Sequence, residues 1–321
     1  MKKELFKKIY NEIKKSKTIY LVRHIGPDPD AIASQIALRD SIRLTFPSKN
    51  VFAIGANPTR FKYLGNLDKN NSFDFENDLI ITLDIPDSIR IDGVDVTKFK
   101  NVIKIDHHPF VEKFAKIEYI DDKNTSTCQI VLEMILNTRL KCNKNIAENL
   151  FIGIVSDSNR FLFDYTSYST FDLVSLIIKK YKLNIQDLYK KMYMKPLSEV
   201  RLLGYIQSNI KVTKNGFAYI ELENDIINSF HADAASASNM INDLNNINEI
   251  LVWLFISKDD KKDLYKVNIR SRGPIINEIA AKYNGGGHKY ASGVRTKDRK
   301  SIDKLIEELD NACKNYKKDY E

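Results

Sequence analysis

Four apolar runs in the first half of the chain each stop at an acid or an imidazole, and this constrains the fold more than any other feature of the sequence. "LVRH" ends at His24, "LIITLD" at Asp84, "NVIKID" at Asp106 with His107 and His108 directly behind it, and "LFIGIVSD" at Asp157. Over the same stretch, β-rich runs ("TIYLVRH", "NVFAIG", "DLIITLD", "NVIKID") alternate with helical patterns such as "DAIASQIALRDSIRLTF". That alternation predicts an α/β fold built on a mostly parallel sheet with helices on both faces. The carboxyl ends of strands in such a sheet line a crevice, so residues distant in sequence converge there. Further helices are expected near 125–139, 145–158 and 169–182, the first behind the capping-rich "DDKNTST".

With 321 residues the chain has room for two cores. The pattern predicts a first domain over 1–185, a charged helical connector over 186–204 interrupted by Pro196, and a smaller α/β domain over 205–321. In the second domain "KNG" separates two strand-like runs as a hairpin turn. A helix at "SASNMINDLNN", the strands "EILVWLFIS" and "LYKVNIRS", a helix at "IINEIAAKY", a loop "NGGGHKYASG" and a charged closing helix follow.

Composition excludes some classes. The longest apolar runs, "LFIGIV" and "LVWLFI", are too short to cross a bilayer, and the basic start of the chain carries Glu4 and Glu12 and reads as an amphipathic helix. Cys128, Cys142 and Cys313 have neither metal-ligand spacing nor the even count of a disulfide framework. A folded cytoplasmic protein without a membrane anchor is expected. The net charge of +8 suits an anionic partner, but scattered lysines carry most of it, so it votes only weakly for nucleic acid.

The chemistry lies at the run ends. "GPDPDA" adds Asp28 and Asp30 to His24, Asp84, the Asp106-His107-His108 triplet and Asp157. Singly, each has an ordinary explanation: a helix N-cap for Asp28 and Asp30, a turn for Asp84 and Asp157, a partly buried imidazole for His24. Jointly they would crowd carboxylates that repel one another unless some stay protonated or a cation joins them. An oxygen-rich set with a minority of imidazole suits Mn²⁺ or Mg²⁺ better than zinc or copper. Two ions would share a carboxylate, and Asp84 is the candidate bridge. In the second domain Gly285, Gly286 and Gly287 precede His288, a pattern that lets backbone N–H groups approach an anion, and "NIRSRG" places Arg270 and Arg272 at a strand end.

These motifs, "HIGPDPDAIAS", "TLDIPD", "DHHP", "GIVSDSNRFLF", "RSRG" and "GGGHKYASG", resemble the DHH phosphoesterase superfamily in the subgroup with an associated DHHA1 domain, in order and over nearly the whole chain. Within it the chain is most similar to the stand-alone nano-RNases, oligoribonucleases that also remove the 3′-phosphate of 3′-phosphoadenosine 5′-phosphate. The resemblance implies a metal-binding DHH domain, a substrate-binding DHHA1 domain and a substrate cleft between them. It implies a first ion on His24, Asp28 and Asp84 and a second on Asp30, Asp84, His107 and Asp157, with hydroxide attack on phosphorus between two ions, Mn²⁺ before Mg²⁺. It places His108 near the substrate phosphate with Asp106 orienting the histidines, and Arg270, Ser271, Gly285, Gly286, Gly287 and His288 on the substrate. Short single-stranded RNA and small phosphorylated nucleotides are the implied partners, and a homodimer the implied assembly. Pro29, Ala33 and "SDSNRF", with Asn159 where glycine is usual, depart from the family pattern without removing a ligand. The nearest rival is a phosphodiesterase for cyclic di-AMP or pApA. A manganese pyrophosphatase, a processive single-strand exonuclease and a non-catalytic RNA-binding module fit less well.

Overall fold

In the computed structural model residues 2–320 are described, except 58–60, 71, 164, 233–236, 239 and 260–262. Its contacts divide the chain into two compact units, Met1–Met194 and Lys195–Glu321.

The first unit is built on β1 (Thr18–Val22), β2 (Asn50–Ala53), β3 (Leu79–Leu83), β4 (Asn101–Asp106) and β5 (Ile117–Ile120). All neighbours pair in parallel, in the order β2-β1-β3-β4-β5. The order reverses between β1 and β3, the point at which an open α/β sheet offers its ligand crevice. His24 follows the first of these strands and Asp84 the second.

Successive strand residues point to opposite faces, and both faces of this sheet are apolar. On one, Ile19, Leu21, Leu79 and Ile81 share a core with α1 (Lys2–Lys15), α2 (Pro29–Thr45), α3 (Thr127–Asn137) and α4 (Lys144–Asp157). On the other, Tyr20, Val22, Ile80 and Val102 lie under Ile54, Ile85, Ile91, Val96 and Phe99, on connections that carry short 3₁₀ turns at Ser88–Arg90 and Val96–Lys98. Helix α5 (Tyr168–Tyr181) and α6 (Ile185–Tyr193) extend the helical side. Pro196 caps the start of α7 (Leu197–Asn209), whose Leu202 and Ile206 are buried in the core of the second unit.

Asp157 is the last residue of α4, which forms where a helix is expected near 145–158; the run "LFIGIVSD" taken by itself groups it with the strand ends, and no strand ends there. Helix α4 is buried along most of its length, and a short run such as "LFIGIV" that is apolar all round cannot be told from a buried strand by periodicity. The helix packs closely at Gly153, where a Cβ would lie 2.2 Å from Cys128 Sγ and 2.9 Å from Asp30 Oδ1.

The second unit holds a six-stranded sheet in the order β10-β11-β9-β8-β7-β6, from β6 (Lys211–Val212), β7 (Phe217–Leu222), β8 (Val252–Asp259), β9 (Leu264–Ser271), β10 (Gly286–His288) and β11 (Ala291–Thr296). Only β7 and β8 pair in parallel. One face packs on α9 (Asn277–Ala281) and α10 (Arg299–Tyr320); the other, at Trp253 and Phe255, packs on α7, α8 (Asn224–Ser229) and a 3₁₀ turn at Met240–Leu244. That turn stands where "SASNMINDLNN" predicts a helix, part of which lies outside the described residues. "NGGGHKYASG" is a hairpin, β10 and β11, and not a loop, with Gly286 opposite Gly293 and His288 opposite Ala291. Among the described residues no helix is long and apolar enough to cross a membrane.

Substituting Gly153→Ala inserts a methyl group against Cys128 and Asp30, so chemical denaturation should show a loss of roughly 1–3 kcal/mol, the usual cost of overpacking. An unchanged midpoint would contradict the close contact of α4 with α3 and the start of α2.

Candidate metal centre

Each site residue is fixed by its own local structure. Behind β1, the fully buried Arg23 donates to Asp92 Oδ2 (2.5 Å), His24 O (3.1 Å) and Ala56 O (2.5 Å). A bridge between His24 and Ile91, with Ile25 N donating to Arg90 O at 2.7 Å, holds the imidazole segment in place. Asp28 is the N-cap of α2: its Oδ1 accepts from Ala31 N at 3.0 Å, and Pro29 opens the helix. The cap and the site therefore use the same side chain.

Asp30, in the first turn of α2, is buried, and its two oxygens accept from Thr127 N (2.8 Å) and Cys128 N (2.9 Å) at the start of α3. A helix N-terminus favours a carboxylate in that position. Asp84 is 2% exposed and adopts φ 61°, left-handed backbone that costs a non-glycine residue roughly 1–3 kcal/mol. It is held there by its N–H on Ile105 O (3.1 Å) and by Thr127 Oγ1, which donates to its Oδ1 at 3.2 Å. Left-handed backbone also runs through Asn159, Arg160 and Phe161 (φ 48°, 63° and 69°), just behind Asp157, which gives a physical reason for glycine being usual at 159.

His24, His107 and His108 each have one ring nitrogen occupied. His24 Nδ1 pairs with Ile25 O (3.0 Å), His107 Nδ1 with Asn124 O (3.3 Å) and His108 Nδ1 with Asp106 Oδ1 (2.8 Å). An imidazole fixed in this way presents its other nitrogen as a ligand. His24 Nε2 lies 3.5 Å from Asp84 Oδ2 and 4.0 Å from Asp28 Oδ2, and His107 Nε2 lies 3.4 Å from Asp84 Oδ1 and 3.1 Å from Asp157 Oδ2. Among the described residues three groups of side chains could hold a metal ion: His24, Asp28 and Asp84; Asp30, His107 and Asp157; and Asp84, His107 and His108. Asp84 belongs to two of them.

Asp106 anchors His108 alone, where the sequence suggests that it orients both histidines. Its other oxygen is buried without a hydrogen-bond donor, 4.0 Å from Nζ of Lys104. Lys104 is itself fully buried and donates to Pro86 O (2.8 Å) and Glu112 O (3.2 Å), tying together the segments that follow β3 and β4. Lys104, Arg23, Asn124 and Thr127 are site-shaping residues that sequence reasoning missed; "DDKNTST" signalled only caps. In the second unit Arg270 donates to Asn242 Oδ1 (3.0 Å) and Ile269 O (3.0 Å). Ser271 spends its hydroxyl on Pro274 O (2.6 Å) and on accepting from Gly273 N (3.1 Å). Gly285, Gly286 and Gly287 run into β10, and the side chain of His288 lies outside the described residues.

The protonation pattern has the character of a site built for cations. Burial acts to lower His24 and His107, but their hydrogen bonds and charge pairing with Asp84 prevail and raise them to about 9 and about 10. Burial acts to raise Asp84, and the hydrogen bonds from His107 and His24 outweigh it, holding the carboxyl far below its usual range. Asp30 rises to about 7, through burial first and then the Asp84 charge, and Asp157 is pushed well up by burial and by Asp30. Asp157 Oδ2 is buried with no hydrogen-bond donor, so its nearness to His107 is not a hydrogen bond. An orphaned carboxylate oxygen among crowded acids and oriented imidazoles fits a divalent ion.

Comparison with known proteins agrees with this geometry. The model described as "DHH family, N-terminal domain" matches residues 18–154, and that of the DHHA1 domain matches 215–315. The chain is 34% identical over 302 residues to the bifunctional oligoribonuclease and PAP phosphatase NrnA of Bacillus subtilis, covering 93% of this chain and 96% of that protein. It is 33% identical over 310 residues to the probable bifunctional oligoribonuclease and PAP phosphatase NrnA of Streptococcus mutans, covering 96% and 99%. The crystal structure of an exopolyphosphatase-related protein from Bacteroides fragilis matches with a TM-score of 0.85 at 26% identity, over 97% of this chain and 98% of that one. The chain belongs to the DHH family and carries a DHHA1 domain.

In metal-free protein the proton-dependent pairs set a testable sign. The stabilisation from His24 and His107 is complete below their ordinary value near 6.5 and is lost as pH rises through about 9 and about 10. Asp30, raised from 3.8 to about 7, acts in the same direction at lower pH. Chelator-treated protein should therefore lose thermal stability as pH rises from 6.5 to about 10, while its affinity for a divalent ion, which needs neutral imidazole, increases. A thermal midpoint that holds level across that window would contradict the pairing with Asp84.

Proposed function

We propose that the chain is a metal-dependent phosphohydrolase that degrades very short RNA to mononucleotides and removes the 3′-phosphate of 3′-phosphoadenosine 5′-phosphate. One observation carries the reading: acids and imidazoles from separate strand and helix ends meet around Asp84 at the switch point of the sheet, in a chain similar over nearly its whole length to relatives named for those two activities.

His24, Asp28 and Asp84 would hold one divalent ion, and Asp30, Asp84, His107 and Asp157 a second; the oxygen-rich donor set favours Mn²⁺, then Mg²⁺. When bound, such a pair supplies Lewis-acid charge to the attacking and leaving oxygens of an in-line displacement at phosphorus. The remaining work falls to the chain itself. His108 is the most exposed of the three histidines, and with Nδ1 held by Asp106 it keeps Nε2 for a phosphate oxygen or a proton in transit. Lys104 holds the segments behind β3 and β4 in register beneath it. Arg270 and the glycine hairpin are assigned to phosphate recognition.

The test is nucleotide or phosphate release in Mn²⁺ from 3′-phosphoadenosine 5′-phosphate and RNA of two to five nucleotides, beside pApA and cyclic di-AMP. Turnover of the first two is expected. Turnover confined to pApA or cyclic di-AMP would replace the reading with a second-messenger phosphodiesterase. Asp84→Ala should reduce every rate by more than about a hundredfold, beyond the usual cost of losing an outer partner of a ligand. Substantial residual activity in that variant would remove Asp84 from the bridging position.

A further inference from the structure

The β9–β11 pairing sets two cations face to face. Lys266 and Arg295 are directly opposite one another in the antiparallel register, two pairs along from Asn268 opposite Gly293. Like charges in that arrangement repel, and a sheet normally separates or neutralises them. Among the described residues no carboxylate forms an ion pair with either side chain. Arg299, by contrast, meets Glu221 and Asp303, and Lys258 meets Asp263. An unneutralised pair of this kind is stabilised by an anion.

The surrounding structure leaves room for one. Lys266, Asn268 and Arg295 line a cavity of about 290 Å³ together with Asn284, Gly286 and Gly293. The glycines form its floor: a Cβ at Gly286 would meet nothing within 4 Å, so the space above it is open, and it lies opposite Gly293 in the hairpin. Asn268 contributes an amide between the cations and the rest of the strand. Side chains two apart on a strand share a face, so Lys266, Asn268 and Arg270 form one row. From Lys266 to Arg270 is four residues at about 3.3 Å each, roughly 13 Å. That is too far for a mononucleotide held at Arg270 to span and within reach of a chain of several nucleotides.

We propose that Lys266, Arg295 and Asn268 form a second phosphate subsite, which takes one backbone phosphate of an RNA chain while Arg270 holds another. The inference rests on the proposed function for its substrate class and extends it: this row grades substrates by length. Guanidinium and ammonium together suit a phosphodiester, the first as a directed fork and the second as a point charge. The glycine floor lets the anion approach the sheet closely.

The experiment compares the full chain with Lys266→Gln/Arg295→Gln and with the charge-retaining Lys266→Arg/Arg295→Lys, all loaded with Mn²⁺. The neutral variant should raise KM for a five-nucleotide RNA about tenfold with kcat retained. The slope of its log binding constant against log salt should fall by about 0.7 for each phosphate that is no longer neutralised. KM for 3′-phosphoadenosine 5′-phosphate should stay within about twofold, and the charge-retaining variant should behave as the parent. An unchanged KM for the pentamer, or an equal rise for both substrates, would overturn the subsite. If the parent protein turns over neither substrate, the proposed function fails instead. The subsite is then read by calorimetry with inorganic tripolyphosphate: binding by the parent that disappears in the neutral variant supports it, and no binding or no difference overturns it.

Discussion

Carboxylates are hardest to bury beside one another, and the first unit is arranged around a place where they must be. Asp84 lies almost wholly out of solvent, in left-handed backbone, with three imidazoles within 3.5 Å. Asp28, Asp30 and Asp157 complete the ring. Without a cation the charge balances only if protons remain on His24, His107, Asp30 and Asp157, which is the direction in which all four are shifted. Much of the neighbouring structure serves that crowding. The α3 amides donate to both oxygens of Asp30, Thr127 donates to Asp84, and Gly153 leaves room for Asp30 against Cys128.

The same crowding explains why the strand order matters. Connections that depart to opposite faces on either side of a reversal leave a crevice, and here α2 follows β1 while a segment with 3₁₀ turns follows β3, in place of the helix expected on that face, with His24 and Asp84 close behind the two strands. Arg23 and Lys104 then act as buried cationic clamps. One bonds two carbonyls and Asp92; the other bonds the carbonyls of Pro86 and Glu112. Burying an uncompensated charge is costly, and both terminal nitrogens of Arg23 and the ammonium of Lys104 are hydrogen-bonded, although Arg23 Nε is buried without an acceptor; each side chain ties together the loops that it bonds. The site's precision derives from these clamps as much as from its ligands.

Much of this is legible in the sequence because apolar runs announce strands and the residues behind them announce the crevice. Four of the five strands of the first sheet and the grouping of His24, Asp28, Asp30, Asp84, His107 and Asp157 follow from that rule; β5 is a short half-buried edge strand that carries no such run. The helix near 145–158 is legible too, although its apolar centre "LFIGIV" also reads as a buried strand and so groups Asp157 with the strand ends, because α4 is buried along most of its length. "NGGGHKYASG" reads as a loop because glycine disfavours strands in isolation, whereas here the hairpin needs glycine: a Cβ at Gly285 would lie 2.4 Å from Gly293 O. Lys104, Arg23, Asn124 and Thr127 leave no local signal. Each has a partner well away along the chain, Asp92 for Arg23, Pro86 for Lys104, His107 for Asn124 and Asp30 for Thr127, and only the tertiary fold brings them together. The opposition of Lys266 and Arg295 is likewise a matter of register, which no single strand discloses.

The central claim is that Asp84 joins two cation positions. Crystals soaked in Mn²⁺ and measured at its absorption edge test it directly. Two anomalous peaks are expected, one touching His24 and Asp28, the other Asp30, His107 and Asp157, with an Asp84 oxygen between them. A single peak, or peaks away from Asp84, would contradict the account.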